Sequence, residues 1–282
     1  MRFIICKTIF LVILLSGVFA QDTLTIYFDK NWKEITDKNM ASYYRKAFLD
    51  SHKHWAVQDY FLSDNIQMIG TFTSKNFKIK QGHFTYFYEN GRKESEGDCI
   101  NNKNEGIWTA WHENGQKRSE GLFRNNFIQD KWTYWHENGQ LKSEGVFING
   151  RSEGKWKYWY NTGEKKSEGK YLHDRKDSTW NYYYKTGQIE SAEEYMNGRL
   201  TLINGYFDNG KIKYKGDCSK GINNGEWTYW NVDGKLVLKG NFENEMKVGE
   251  WIRYFPNGDQ LKMYYVKGNL VSKHLGGIVK ND

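Results

Sequence analysis

The polar residues best suited to acid–base or nucleophilic chemistry recur at fixed intervals along the chain. One column contains Glu96, Glu120, Glu144 and Glu168, and the neighbouring column contains Ser95, Ser119, Ser143, Ser167 and Ser191. Carboxylates and hydroxyls are the groups that hydrolytic enzymes use. A catalytic acid needs one perturbed environment, however, whereas these residues share a repeated one. We interpret both columns as a solvated face with weak lysine–glutamate pairing and expect no catalytic residue.

Histidines are present, but their spacing does not suit a metal site. His112 and His136 stand one period apart, so equivalent atoms would be separated by roughly 10 Å. Tyrosine or phenylalanine fills the same column elsewhere, and we therefore interpret these histidines as aromatic replacements. His52 and His54 form a lone His-x-His with no third ligand at motif spacing. The sequence predicts no metal and no cofactor.

Two cysteines, Cys99 and Cys218, occupy the same slot five repeats apart. That separation corresponds to roughly 48 Å, whereas a disulfide needs Cα atoms within about 7 Å. No bridge between them is expected. We interpret both as small hydrophobic residues of the core, with intermolecular bridging as the alternative.

A turn dipeptide marks the elements that must position these residues. Its second residue is glycine, and consecutive turn glycines are 24 residues apart, with one interval of 23. The turn glycines are Gly91, Gly115, Gly139, Gly163, Gly187, Gly210, Gly234 and Gly258. A fixed period of this size indicates a repeat array. The Asn-Gly type of dipeptide supplies the positive φ angles that tight hairpin turns require.

Aromatic residues and a second set of glycines recur at fixed positions relative to the turn glycines. Position −7, counted from the turn glycine, holds Trp108, Trp132, Trp156, Trp180, Trp227 and Trp251, with Phe84 in the first unit and Ile203 breaking the column. Position +6 holds Gly97, Gly121, Gly145, Gly169, Gly216 and Gly240. A glycine in a strand lets a neighbouring ring lie across its backbone. We expect the tryptophan column to do this.

Alternation along each strand places positions −7 and −5 on one face and positions −6 and −4 on the other. Both faces carry rings, which one hairpin cannot bury but rings stacked from repeat to repeat can. Eight units would form a ribbon roughly 75–80 Å long. The predicted fold is all-β, with tandem 24-residue hairpins in an elongated, twisted, single-layer antiparallel sheet.

The hairpin unit resembles a known repeat. The segment from Glu153-Gly154-Lys155-Trp156 through Thr162-Gly163 to Ser167-Glu168-Gly169-Lys170-Tyr171 is similar to the bacterial variant of the MORN repeat. The resemblance covers about residues 82–268, and a degenerate unit at Trp55–Phe72 extends it. This variant occurs in proteins often labelled YwqK-type antitoxins. The resemblance implies an interaction or structural array, and an antitoxin-like binding protein is one alternative.

Aromatic rings at position −4 suggest a second alternative. Rings on an open sheet face can stack on sugars, as in other hairpin repeats rich in glycine and tryptophan. The ring face for such a glycan-binding or cell-wall-binding module would comprise Trp111, Trp135, Trp159 and Trp230. If the same rings instead pack hairpin against hairpin, the sugar-binding hypothesis loses its physical basis.

The first twenty residues form a separate unit. Arg2 and Lys7 accompany a mostly apolar stretch, and Val18-Phe19-Ala20 offers small residues at positions −3 and −1 of a cleavage site. This pattern predicts a cleavable signal peptide at residues 1–20. We therefore expect an exported protein, periplasmic, at the cell surface or secreted, with no stable membrane span after cleavage.

The remaining domain boundaries follow from where the period starts and stops. Residues 21–54 do not follow the 24-residue period and are predicted to cap the array, with a docking site as the alternative. Residues 55–81 form a degenerate first repeat, residues 82–268 form eight repeats, and residues 269–282 are assigned to a C-terminal tail.

Composition narrows the function classes. Aromatic residues make up 17% of the chain, with 28 Gly and 1 Pro, which is typical of short strands and tight turns and unusual for an enzyme core. The net charge of +7 is a modest excess for this length, so no nucleic acid is expected. We predict a non-enzymatic scaffold of the cell envelope with an unknown protein partner.

Overall fold

The computed structural model describes residues 23–276, which form one open sheet of 22 strands. The predicted all-β hairpin array is confirmed. The predicted signal peptide lies outside the described residues. The strands are β1 (Leu24–Phe28), β2 (Glu34–Ile35), β3 (Tyr43–Leu49), β4 (Trp55–Phe61), β5 (Ile66–Phe72), β6 (Gly82–Phe87), β7 (Lys93–Ile100), β8 (Lys103–Trp111), β9 (Lys117–Arg124), β10 (Phe127–Trp135), β11 (Leu141–Ile148), β12 (Arg151–Trp159), β13 (Lys165–Leu172), β14 (Arg175–Tyr183), β15 (Ile189–Met196), β16 (Arg199–Tyr206), β17 (Ile212–Ser219), β18 (Ile222–Trp230), β19 (Leu236–Glu243), β20 (Met246–Tyr254), β21 (Gln260–Val266) and β22 (Asn269–Gly276).

Strand order follows chain order almost throughout. From β3 to β22 each strand pairs antiparallel with the next, and β1 lies between β2 and β3. The eight repeats are the hairpins from β6–β7 to β20–β21, and β4–β5 is the degenerate unit. The assignment of a tail from residue 269 needs correction, because residues 269–276 form β22 and pair with β21. No helix of residues 23–276 is long and apolar enough to cross a membrane.

The contact between repeats is a tryptophan laid across a glycine, as predicted. A Cβ atom added to Gly145 would lie 2.1 Å from Cδ2 of Trp156, the tryptophan of the following hairpin. Its indole Nε1 donates to the carbonyl oxygen of Val146 at 3.3 Å. The same contact joins Gly97 to Trp108, Gly121 to Trp132, Gly169 to Trp180, Gly216 to Trp227 and Gly240 to Trp251, and Phe84 covers Gly70.

Further rings fill the spaces beside each tryptophan and create what we call the ladder face. The Phe147 ring meets Trp132 and Trp156 edge to face, with centroids 6.4 and 5.0 Å away. The Tyr158 ring lies beside Trp156 at 6.0 Å. Trp132 is 6% exposed and Trp180 is 1% exposed. A single layer of strands thus buries its large rings by stacking them along the array, since edge-to-face pairs add to the free energy of burial.

Glycine and tryptophan are lost together where the ladder is interrupted. Glu193 occupies the glycine slot of its repeat, and Ile203, the residue paired with it, occupies the tryptophan slot. At the C-terminal end, Met263 is paired with Lys273 of β22. Because a Cβ atom fills the space that the indole would need, a tryptophan cannot occupy the next strand at either junction.

The Asn-Gly turns differ in detail from the expected geometry. At Asn138-Gly139 only the glycine has positive φ, at 82°. The Gly139 amide donates to the His136 carbonyl at 2.9 Å, and the His136 amide donates to the Gln140 carbonyl at 2.8 Å. These bonds describe a type I turn followed by a glycine bulge. Asn138 instead caps the turn: its Oδ1 accepts from the Gln140 amide, and its Nδ2 donates to the Asn161 carbonyl of the next turn.

A second kind of turn connects consecutive repeats, and the sequence pattern did not reveal it. Both central residues have positive φ, for example 52° at His173 and 65° at Asp174, as in two-residue type I′ turns. Successive turns of this kind stack through backbone bonds, such as the Asp174 amide donating to the Ser152 carbonyl at 3.1 Å. We call this side of the sheet the second-turn edge.

At the N-terminal end of the sheet, a buried ion pair packs against the rings of the first hairpins. Arg45 of β3 donates from Nε and Nη2 to both carboxylate oxygens of Asp59 at 2.7 and 2.9 Å. The Asp59 side chain is 3% exposed, and the guanidinium lies about 5 Å from the ring centroids of Phe28, Phe72 and Phe77. The segment thus covers the first hairpins with a charge pair and rings in place of a further tryptophan.

Replacing a ladder glycine should cost far more stability than replacing a glycine that no ring covers. In Gly169→Ala the new methyl group would overlap Cδ2 of Trp180, which it would approach to 2.2 Å. We expect a loss of about 2–3 kcal/mol in the free energy of unfolding, the usual cost of overpacking.

The matched control is Gly276→Ala, since a Cβ atom there would meet only the Gln260 carbonyl oxygen, at 3.8 Å. Its expected cost is below about 1 kcal/mol. Urea unfolding followed by tryptophan fluorescence measures both variants. Equal losses would contradict the glycine–tryptophan contact as the source of repeat cohesion.

Candidate functional site

The face opposite the ladder carries the glutamate column and the lysines that pair with it, and we call it the charged face. Glu144 of β11 pairs with Lys131 of its own hairpin at 2.8 Å and with Lys157 of the next hairpin at 3.3 Å. Glu168 of β13 pairs with Lys155 at 2.9 Å and with Lys165 at 3.2 Å. Glu144 therefore joins two hairpins through ion pairs, whereas both lysines that pair with Glu168 belong to its own hairpin.

These contacts keep the glutamates ionised. Burial alone would raise the pKa of Glu168, but hydrogen bonds from Lys155, Tyr183 and Lys165 lower it to about 2. The hydrogen bond from Lys131 likewise lowers the pKa of Glu144. A general acid needs the opposite shift, toward a protonated carboxyl group at neutral pH. At these two positions the column supplies fixed negative charge.

The glutamates and serines that adjoin in sequence lie on opposite faces of the sheet. Ser143 pairs with Tyr134 on one side and with Tyr158 on the other, and it is 6% exposed. Ser167 and Ser191 are similarly buried on the ladder face. A serine nucleophile needs its base within hydrogen-bonding reach. The backbone alternation separates these hydroxyls from the glutamate column, so the two columns do not assemble a catalytic pair.

The rings predicted to form a glycan face are half-buried and are partly covered by lysines. Lys93 Nζ lies 5.5 Å from the ring centroid of Trp111, and Lys117 Nζ lies at the same distance from Trp135. Each lysine comes from the preceding hairpin and also pairs with a glutamate at 2.6 Å. Trp159 and Trp230 are half-buried as well. A stacked sugar would have to displace these lysines from Trp111 and Trp135.

The histidines of the repeats occupy a position that holds tyrosine in other repeats, and they contact the same backbone carbonyl of the next hairpin as the tyrosine does. His112 Nε2 lies 3.0 Å from the Trp135 carbonyl oxygen of the next hairpin. His136 makes the equivalent contact with Trp159 at 3.2 Å. In the equivalent slot, the Tyr88 hydroxyl donates to the Trp111 carbonyl at 2.8 Å. The interpretation as aromatic replacements is confirmed, and the column gains a role that the sequence did not show, since it links successive turns.

Other candidate ligands stay apart. Cys99 and Cys218 are free and buried, and they belong to different core clusters. His52 and His54 lie in a turn where both backbone amides donate to Asp50 Oδ1. Within residues 23–276 no three His, Cys, Asp or Glu side chains are close enough together to hold a metal ion.

A titratable cluster fills the gap where the ladder is interrupted. The Tyr195 hydroxyl donates to Glu193 Oε2 at 2.6 Å, and Lys176 Nζ donates to the hydroxyls of Tyr182 and Tyr195. Burial lowers the pKa of Lys176 and raises that of Tyr182. The sequence showed only that this unit lacks its tryptophan. The polar groups satisfy one another, so the cluster stabilises the gap and leaves no free catalytic group.

Three consecutive hairpins match a known family. Residues 104–125, 131–149 and 152–173 match the MORN repeat variant. Each matched segment corresponds to one hairpin, namely β8–β9, β10–β11 and β12–β13. No curated protein matches the chain. MORN repeats are commonly protein-binding or membrane-binding modules and typically non-catalytic.

Stability should depend on acid pH through Glu168. Its pKa lies below the ordinary value of 4.5, at about 2, so its contribution is complete at neutral pH and is lost as pH falls from 4.5 through 2. We expect Glu168→Gln to destabilise the protein by about 2 kcal/mol at neutral pH. The difference from the unmodified protein should shrink as pH falls through this window.

Urea unfolding at neutral pH and again near pH 3 measures the change. Glu250→Gln is the control, because Glu250 is 49% exposed and lies 3.5 Å from Lys262. Its effect should be below about 0.5 kcal/mol at either pH. A Glu168→Gln penalty that does not vary with pH would show that the carboxylate contacts do not contribute in the way the geometry indicates.

Proposed function

We propose that the protein is an exported, non-enzymatic repeat scaffold of the cell envelope that binds protein partners along its sheet. The observation that supports this function is the exposure of side chains at equivalent positions of successive hairpins, on a sheet held together by ladder contacts. Position −8, for example, carries exposed Ile107, Lys131, Lys155 and Thr179 in four successive hairpins. Such a surface suits an elongated partner that touches several repeats at once.

The chemistry of the site also favours binding over catalysis. The ladder face is occupied by its own rings, and the charged face is crosslinked by ion pairs that keep Glu144 and Glu168 ionised. MORN repeats are commonly protein-binding or membrane-binding modules. Export is supported by the positive, apolar and small-residue pattern of residues 1–20.

Photo-crosslinking tests the scaffold function. A benzophenone amino acid placed at Ile107, Thr179 or Glu226 samples the same slot in three hairpins. We expect all three positions to crosslink to one envelope protein in intact cells. Placed at Lys30, an exposed residue outside the repeats, the same probe should give no such product.

Cell fractionation tests export in the same strains. The full chain should be recovered with envelope or external fractions, and a chain lacking residues 1–20 should stay in the cytoplasm. Crosslinks confined to one hairpin would indicate a local site instead of a scaffold. Recovery of the full chain from the cytoplasm would contradict the envelope role.

A further inference from the structure

The second-turn edge carries an exposed stripe to which five successive second turns each contribute one apolar and one basic side chain. The two residues flanking each second turn are direct cross-strand partners, so their side chains share a face. In five successive turns one partner is basic and the other is Ile, Phe, Leu or Met. The basic residues of this stripe are Lys103, Arg124, Arg151, Arg175 and Arg199.

The apolar half of the stripe is unusually open. Ile148, the partner of Arg151, is 55% exposed, Leu172 is 41% exposed, and Met196 is 64% exposed. Exposed apolar side chains grouped along one edge mark interaction sites more often than apolar side chains that are scattered singly over a surface. The ladder face is already filled by its own rings, which leaves this edge as an apolar surface without a partner inside the chain.

The basic half is free to bind an anion. Within residues 23–276 no carboxylate oxygen lies within 4.0 Å of the guanidinium nitrogens of Arg151, Arg175 or Arg199. A groove of about 510 Å³ opens between the third and fifth turns of the stripe and is lined by Arg151, Arg175, Lys176 and Leu172, and also by Asp174 and Asp177. Unpaired guanidinium groups beside apolar side chains complement a ligand that is both acidic and apolar.

The distance between successive side chains of the stripe determines which backbone conformation of a peptide ligand fits it. Two strands per repeat at about 4.8 Å each place equivalent side chains roughly 9.6 Å apart. A polyproline II chain has three residues per turn and rises about 3.1 Å per residue, so every third side chain returns to the same side after roughly 9.3 Å. An extended β-strand alternates sides every residue and cannot keep a three-residue period on one side.

On these grounds we infer that the stripe binds an acidic polypeptide segment in the polyproline II conformation, with acidic and apolar residues repeating every third position. This inference rests on the proposed scaffold function and specifies the partner's chemistry. A bilayer surface fits less well. Sheets twist by about 20–25° per strand, so the eight strand steps from β8 to β16 rotate the stripe by roughly half a turn. A flexible chain can follow such a path, whereas a plane touches only part of it.

A synthetic peptide tests the inference directly. The probe is a fluorescein-labelled peptide of five Glu-Pro-Leu units, and its binding to residues 21–282 is followed by fluorescence anisotropy. We expect the triple variant Arg151→Glu, Arg175→Glu, Arg199→Glu to weaken binding at least about tenfold. Peptides of one or two units should bind progressively more weakly, because each unit engages one repeat.

A charge-matched control separates the stripe from general electrostatic attraction. The triple variant Arg118→Glu, Lys142→Glu, Lys235→Glu makes the same charge change at exposed positions beside the Asn-Gly type turns. Its affinity should stay within about twofold of the unmodified chain. If both triple variants weaken binding equally, the stripe is not the site. A peptide of Glu-Pro-Pro-Leu units with the same number of glutamates should bind at least about fivefold more weakly, and equal binding would overturn the period match.

Two further measurements distinguish this inference from its alternatives. Sedimentation with phosphatidylserine vesicles that depends on the three arginines, without peptide binding, would assign the stripe to a membrane and overturn the inference. Crosslinking to an envelope protein that persists unchanged in the arginine triple variant would also overturn it, while leaving the scaffold function intact. Loss of that crosslink in the arginine variant, but not in the control variant, supports the stripe as the partner's site.

Discussion

The packing of a tryptophan ring on a bare glycine of the preceding hairpin is the contact on which the whole array depends. A two-stranded hairpin is marginal in water because it has too little apolar surface to bury. The ring supplies that surface, and the absence of a Cβ atom at Gly145 or Gly169 lets the ring approach the backbone. The indole N–H is satisfied by the carbonyl one residue further along the strand. One pair of residues therefore provides both the burial and the register between repeats.

This requirement has consequences for the rest of the sheet. Because packed rings cover the ladder face, the groups available to a partner must lie on the charged face or on the edges of the sheet. The glutamates of the charged face then serve two purposes: Glu168 links neighbouring hairpins through Lys155 and Tyr183, and its ionised form keeps the surface polar. Where Glu193 displaces the glycine, Lys176, Tyr182 and Tyr195 replace the missing ring with a polar network.

Much of this organisation could be predicted from the sequence. The period of 24 residues located every Asn-Gly type turn, and the paired columns of glycine and tryptophan gave both the sheet and its main contact. These features depend on residue types that only one local geometry tolerates. The second turns could not be predicted because the residues that adopt positive φ there, such as His173 and Asp174, differ in type from repeat to repeat. β22 lacks the repeat pattern because it carries Lys273 where a repeat has its tryptophan, and the sequence therefore does not distinguish it from a tail.

The glutamates of the charged face form a column in the sequence, but the sequence does not show which side chains bind them. Whether Lys165 reaches Glu168 or the ring of Tyr183 depends on side-chain conformations that spacing alone does not specify, and in the structure it reaches both. The exposed stripe cannot be predicted from the sequence either, since its residues are aligned only when the second turns stack on one another. The proposed function as a binding scaffold rests on the regular surface that this stacking creates.

Distances between spin labels at equivalent slots test the regular array most directly. With Cys99 and Cys218 replaced by alanine, labels at residue 107 paired with 155, 179 or 226 span two, three or five repeats. The array predicts narrow distributions whose means rise from roughly 19 to 29 to 48 Å. Distances that fail to rise with the number of repeats, or broad distributions at every pair, would contradict an extended sheet held by glycine–tryptophan contacts.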